Sequence, residues 1–314
     1  MSELLRRALP VYGLPEDTPL TLLNRSENET WRAGPLVLRL HRQGYHTRPE
    51  ILSELQWLGA LQGLAELNAV RPVAGGQGPV TEIDGRFLVA FAPIAGQELQ
   101  PGDDLARWFA PLGEITARLH RHARGWTPPP GFTRKRWDVE TILGARAHWG
   151  DWRQGQGLEA QGAALLERAT ARLAGRLAAY GTSPETFGLI HADLRLANLM
   201  VDGDRLTAID FDDCGFGWWV YDLAAALSFI ETDPRLPELI GHWVEGYSRI
   251  ARLGPEDRAM IPALIFLRRV LLTAWLSTRA DSDTAQALGG PAYTQGTVDL
   301  AERYLGDGLA VFLP

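Results

Sequence analysis

The sequence predicts an α+β protein in two parts: a small sheet carrying one helix, then a larger, mainly helical part. Three observations predict it. Short apolar runs separated by turn residues fill positions 20–91. Within that stretch the apolar period changes once, at 49–61. Beyond Pro93–Gly96 long helical patterns take over, interrupted by one compact strand–turn–strand segment at 188–211.

Leu20 to Asn24 and Thr30 to Ala33 read as strands flanking a polar turn, Arg25-Ser26-Glu27-Asn28, and Leu36 to Leu40 reads as a third. From Pro49 to Leu61 the apolar residues Ile51, Leu55, Leu58 and Leu61 recur at three- and four-residue steps, which puts them on one helical face. Val80 to Ile83 and Arg86 to Phe91 are further strands, split by Asp84-Gly85, a strong hairpin signal. Pro93 to Gly96 reads as a hinge, dividing the chain into residues 1–94 and 95–314. Helices are expected over Leu105 to His120, over the Ala-, Leu- and Arg-rich span from Leu158 to Tyr180, and from Tyr221 onward. Glu256 to Thr278 is the most apolar of them.

Composition removes several function classes. The 314 residues carry a net charge of −7 without basic runs, which argues against nucleic acid as the main partner. A lone Cys214 excludes intrachain disulfides and fits a reducing cytosol. The N-terminal residues lack the apolar region of a signal peptide. Apolar stretches such as Ile261 to Leu267 stop at Arg268 and Arg269, so no membrane span and a cytoplasmic location are expected. Lys135 is the only lysine among 31 basic residues. No Gly-Lys-Ser or Gly-Lys-Thr occurs, so a Walker A phosphate loop is excluded.

The segment richest in chemistry runs from Ile190 to Asp213. An apolar run ends at His191-Ala192-Asp193, Asn198 opens the next strand, and a hairpin through Asp202-Gly203-Asp204 leads to Asp210-Phe211-Asp212-Asp213. The hairpin is expected to bring Asp210 back beside Asn198 and Asp193. Oxygen ligands gathered in this way suit Mg²⁺, which takes one or two carboxylates together with phosphate oxygens and water. A further carboxylate could accept a proton from a hydroxyl nucleophile. Asp and Asn also dominate turns, so the argument rests on the ordered set rather than on any one residue.

That order, His-x-Asp-x₄-Asn, then strand, turn, strand, then Asp-Phe, resembles the catalytic and metal-binding loops of protein-kinase-like phosphotransferases. Asp210-Phe211-Asp212-Asp213 and Tyr221-Asp222-Leu223-Ala224 are similar to the aminoglycoside phosphotransferase/choline kinase branch, which includes homoserine kinases and the bacterial stress-response kinase. The resemblance implies a bilobal protein-kinase-like fold. Residues 1–94 would be a nucleotide-binding lobe, and 95–314 a catalytic and substrate-binding lobe. It implies ATP and Mg²⁺ as cofactors, Asp193 as the catalytic base and Arg195 as a cation beside the transferring phosphoryl group. Asn198 and Asp210 would be metal ligands, with Asp212 a second ligand or a support to one. Asp222 would cap its helix or anchor the catalytic loop from behind.

On the family's third strand the usual lysine is replaced by Arg39, with Glu54 as its expected helix partner. Arginine stays cationic and binds phosphate well. No Gly-x-Gly-x-x-Gly precedes it. The resemblance assigns phosphate cradling to the 24–31 turn, with Ser26 and Asn28, and adenine to backbone groups around Phe91, Ala92 and Ile94. The expected acceptor is a hydroxyl of a small molecule such as an amino-alcohol, an aminoglycoside or homoserine. The alternatives are a serine/threonine protein kinase of the stress-response type and a weakly active nucleotide-binding scaffold. The eleven tryptophans are expected to serve helix packing before a cation cage. The oligomeric state is left open by the sequence.

Overall fold

The computed structural model describes residues 2–25, 28–64 and 67–307. In chain order it begins with α1 (Ser2–Ala8), β1 (Leu20–Arg25), β2 (Glu29–Ala33), β3 (Leu36–Leu40) and α2 (Arg48–Leu61). Next come β4 (Pro72–Val73), β5 (Thr81–Ile83), β6 (Arg86–Phe91), β7 (Gln97–Glu98) and α3 (Ala106–Gly125). The middle holds β8 (Lys135–Trp137), α4 (Val139–Ile142), α5 (Ala160–Tyr180), β9 (Phe187–Ile190), β10 (Leu199–Asp202), β11 (Arg205–Ala208) and β12 (Gly215–Trp218). Helices α6 (Tyr221–Ala226), α7 (Leu236–Ile250), α8 (Pro255–Thr278), α9 (Asp283–Leu288) and α10 (Gly290–Gly306) close the chain. The α+β class is the expected one.

The chain divides into two compact units. The first comprises Met1–Gln97, Thr127–Lys135 and Met200–Asp212. The second comprises Glu98–Trp126, Arg136–Leu199 and Asp213–Pro314. Two short segments from the later chain therefore belong with the first unit, where the sequence reading drew a single boundary at 94/95.

In the first unit an antiparallel sheet runs β1-β2-β3-β6-β4, with β5 paired to β6. Asp84 and Gly85 both have positive φ, 50° and 70°, the two-residue turn that their sequence favours. Leu38 and Leu40 of β3 join Leu5, Leu9, Ala33 and Leu88 in a core covered by α1. Arg39 alternates to the other face of the sheet. Helix α2 starts at a capping box in which Thr47 and Glu50 satisfy each other's backbone, with Pro49 in its first turn. Its expected apolar residues Ile51, Leu55, Leu58 and Leu61 are all buried. Glu54 is buried with them.

The second unit is mainly helical. Helices α3 and α7 approach backbone to backbone: a Cβ on Gly113 would lie 2.2 Å from the Trp243 carbonyl, and one on Gly246 1.9 Å from that of Ala110. Strand β12 pairs antiparallel with β9, Gly215 opposite Ile190 and Trp218 opposite Phe187. The sequence reading missed β12 because its two glycines carry little strand signal. By length and composition α8 could cross a membrane, contrary to the expectation that no stretch reaches that length. Its 18-residue apolar window is 94% buried inside the protein, so that apolarity serves the core. Arg268 and Arg269 do not end it, because both are buried and paired. Five tryptophans, Trp57, Trp137, Trp152, Trp218 and Trp243, are among the largest fully buried side chains, in line with the packing expectation.

Candidate active site

Each unit carries its own set of chemistry-bearing residues. In the first, Arg39 is 4% exposed and meets three carboxylates. Its Nη2 lies 2.5 Å from Glu54 Oε2 and 3.6 Å from Asp212 Oδ1, and its Nη1 lies 3.1 Å from Asp210 Oδ1. The Phe91 ring packs against the guanidinium, 5.0 Å from Cζ to the ring centre. Burial pulls the Arg39 pKa down, but Glu54, then Asp212 and Asp210, more than offset this and hold it above the ordinary guanidinium value. Arg39 is therefore a fixed cation. Asp210 has φ 59° and a side chain 38% exposed, so its carboxylate still reaches solvent.

Asp212 is placed differently from a ligand open to solvent. It is 3% exposed, accepts 2.7 Å from Asn28 Nδ2, and lies 3.3 Å from His46 Nε2 and 3.5 Å from His41 Nδ1. Burial pushes its carboxyl up, but His46 and Arg39 pull harder and hold it well below the usual carboxylate range. Burial and then Arg39 push His41 well below its ordinary value, so it is neutral. Arg134 donates to the Asp212 backbone oxygen and, at 2.8 Å, to that of Glu50. Sequence reasoning missed His41, His46 and Arg134, which no local spacing ties to Asp212.

Ser26 lies outside the described residues. Asn28 is buried, and its Oδ1 accepts from the Arg42 N–H at 3.1 Å. Near the hinge the Ala92 N–H is already spent on the Arg71 carbonyl at 2.9 Å, and Pro93 has none. Ile94 is the next backbone donor along the chain, half-buried and, among the described residues, without a hydrogen bond at its N–H.

In the second unit Asp193 follows Ala192, a non-glycine residue at φ 66°. That left-handed peptide is held by Asp222, whose Oδ1 accepts from Ala192 N–H at 2.6 Å and whose Oδ2 accepts from His191 N–H at 3.1 Å. Asp222 thus anchors the loop from behind. His120 Nε2 lies 3.0 Å from Asp222 Oδ2, and its Nδ1 3.0 Å from the Tyr247 hydroxyl. A carboxylate can only accept, so Nε2 carries the proton and Nδ1 accepts from Tyr247.

Burial lowers the His120 pKa more than Asp222 raises it. The unfolded chain therefore binds a proton near pH 6.5 that the folded chain refuses, and stability falls as pH drops below that value. His120 should contribute up to about 1.4 kcal/mol of lost stability per pH unit between 6.5 and its folded pKa. Urea unfolding of the parent and of His120→Gln at pH 7.0 and about 5.5 checks this. Parallel losses in both proteins would contradict it.

Asn198 sits in a short 3₁₀ turn after Arg195. Its Nδ2 donates to both the Asp193 carbonyl and Asp193 Oδ2, each at 2.8 Å. With both amide hydrogens spent there, the Asn198 carbonyl oxygen is the end left for a cation. Arg195 Nε is 3.4 Å from Asp193 Oδ2. Arg268 of α8 donates to Asp193 Oδ1. The sequence reading had treated that arginine only as the end of an apolar stretch.

A model of the phosphotransferase enzyme family matches residues 23–260 of the chain. The chain belongs to this family. This phosphotransferase is an enzyme of the kinase class, and known members similar to it take small-molecule acceptors. It is 25% identical over 302 residues to the amicoumacin kinase of Bacillus subtilis (strain 168), covering 90% of this chain and 86% of that protein. It is 42% identical to a microcompartment-associated aminopropanol kinase of solved structure, with a TM-score of 0.89 over 99% of this chain and 98% of the other. A choline/ethanolamine kinase family protein from Mesorhizobium loti shares the fold, with a TM-score of 0.67 at 18% identity over 94 or more percent of each chain.

Proposed function

We propose that this phosphotransferase moves the γ-phosphoryl group of ATP, with Mg²⁺, to the hydroxyl of a small amino-alcohol. The observation that carries the transfer chemistry is Asp193: its carboxylate is gripped by Asn198 on one oxygen and Arg268 on the other. A fixed carboxylate of this kind can orient a hydroxyl and take its proton. The acceptor class is supported by the 42% identity to the aminopropanol kinase across almost the whole chain.

The residues fit ATP and Mg²⁺. Arg39, a fixed cation, is the candidate for the nucleotide phosphates, with Glu54 setting its direction. The half-exposed Asp210 carboxylate and the Asn198 carbonyl are hard oxygen donors of the kind that Mg²⁺ takes. Asp212, held by Asn28, would support Arg39 beside Asp210. When bound, the metal supplies charge neutralisation on the phosphates. Arg195 would add a cation near the transferring group. Ile94, rather than Ala92, would offer the backbone donor to the base. In this reading the first unit is the nucleotide unit and the second the acceptor unit.

The test is phosphate transfer from ATP·Mg²⁺ to aminopropanol, ethanolamine, choline, homoserine, an aminoglycoside and a generic protein. A short amino-alcohol is expected to give the highest kcat/KM. Transfer to the protein alone, or ATP turnover that no acceptor stimulates, would overturn the proposal.

A further inference from the structure

Helix α8 is apolar and deeply buried, yet it carries two adjacent arginines at its centre. Arg268 is 1% exposed. Its Nε donates to Ser228 Oγ at 2.9 Å, and its Nη1 lies 3.3 Å from both the Ala192 carbonyl and the Tyr221 hydroxyl. Its Nη2 donates to Asp193 Oδ1. Arg268 Cζ lies over the Trp149 ring, 5.0 Å from its centre. The cation that a tryptophan face attracts is thus already present, and it belongs to the chain. Arg269 is engaged by its own partners: Glu231 at 2.8 Å, Thr297 Oγ1 at 2.9 Å and the Tyr293 carbonyl at 3.0 Å.

These contacts meet at the catalytic loop. Asp222 takes the N–H of Ala192 while Arg268 takes its carbonyl, so both polar groups of a left-handed residue are fixed. One residue later, Asp193 is gripped from opposite sides. Arg268 holds Oδ1, and Asn198 with Arg195 holds Oδ2. A carboxylate bonded on one oxygen only can rotate about its Cβ–Cγ bond; one held on both cannot. Farther along, Arg268 and Arg269 pin Ser228 and Glu231 on either side of Phe229, whose φ is 71°. An aromatic residue in that region persists only where its surroundings over-determine it.

We propose that Arg268 is a positioning residue for the transfer reaction. It fixes the rotation of the Asp193 carboxylate and so the direction in which that carboxylate meets the acceptor hydroxyl. The inference rests on Asp193 acting at that hydroxyl, and the experiment separates the two claims. Lysine can carry the charge but not the planar set of donors that reaches Ser228, Ala192, Tyr221 and Asp193 together.

Four full-length variants test it with ATP·Mg²⁺ and aminopropanol: Arg268→Gln, Arg268→Lys, Asp193→Asn and the double variant Asp193→Asn/Arg268→Gln. Arg268→Gln should lower kcat by about 10- to 100-fold, the worth of one charged hydrogen bond, with KM for ATP within about twofold of the parent. Arg268→Lys should recover part of that loss. In the Asp193→Asn background the second substitution should cost less than about threefold, because residues acting as a unit are not additive. A merely structural arginine would instead give multiplicative losses and a raised KM for ATP. Either of those outcomes, or a parent-like kcat in Arg268→Gln, overturns the proposal. Should Arg268→Gln show no cooperative thermal transition, Arg268→Lys carries the reading. A fall in kcat at unchanged KM for ATP then supports the proposal, and parent-like kcat overturns it. If Asp193→Asn itself keeps the parent's kcat, the role of Asp193 fails, and with it the premise for Arg268.

Discussion

Asp193→Asn should lower turnover by about 10²- to 10⁴-fold, the range for losing a positioned proton acceptor. The substitution is nearly isosteric, so it isolates the charge. The Asn198 amide can still donate to an oxygen at that position, and the 193 carbonyl keeps its own bond from Asn198 at the same 2.8 Å distance. Asp222 still holds the loop through two backbone N–H groups, so the path of the chain does not depend on the residue at 193. In the proposed reading the acceptor hydroxyl loses its proton sink, while Arg39 and Asp210, the residues proposed for the nucleotide and metal, keep their ion pair. KM for ATP should therefore stay near the parent's and kcat should fall. Single-turnover measurements with labelled ATP check this. A variant within about tenfold of the parent's kcat would remove Asp193 from the reaction.

The second large effect is on stability. Arg39→Ala strands Glu54 and Asp212, 0% and 3% exposed, without the cation between them. Breaking a buried pair in this way costs about 3–5 kcal/mol, because the remaining charge cannot reach water. The loss should exceed what side-chain packing against Phe91 explains. Glu54→Gln should cost less, since the amide oxygen still accepts from Arg39 Nη2. Arg39→Lys keeps the charge and should keep much of the activity. One ammonium cannot span Glu54 and Asp210 as the guanidinium fork does, so its stability should lie between those of the parent and Arg39→Ala. Urea midpoints and slopes for the three variants check the order. Parent-like stability in Arg39→Ala would mean that the carboxylates find other partners.

Much of this was readable from local pattern. Asp84-Gly85 turns as its sequence requires, and the 3.6-residue period of α2 faces the core. The Arg39–Glu54 pair joins a strand to the next helix only 15 residues on, within reach of pattern reasoning. Arg268 meets Asp193 across 75 residues, and Arg134 meets Asp212 across 78. No periodicity links such positions, and an arginine inside an apolar run reads as the end of a segment until its partner is known. Asp212 shows the same limit from the other side. Its place in the motif suggested a metal ligand, while its surroundings, Asn28, His41 and His46, come from a turn and a loop that carry no signal for it.

The protein's one lysine has a practical consequence. Nucleotide analogues with an acyl phosphate report on kinases by acylating a neutral amine beside the bound phosphates. Here the cation expected at that place is Arg39, a guanidinium that its carboxylates keep protonated and therefore unreactive. Lys135 is buried, with its ammonium 3.4 Å from the centre of the Tyr45 ring. Activity-based profiling that depends on lysine would pass over this enzyme even when it is abundant and fully active. An Arg39→Lys enzyme would carry an amine at that position, which loses its proton far more readily than a guanidinium and is expected to be tagged where Arg39 is not.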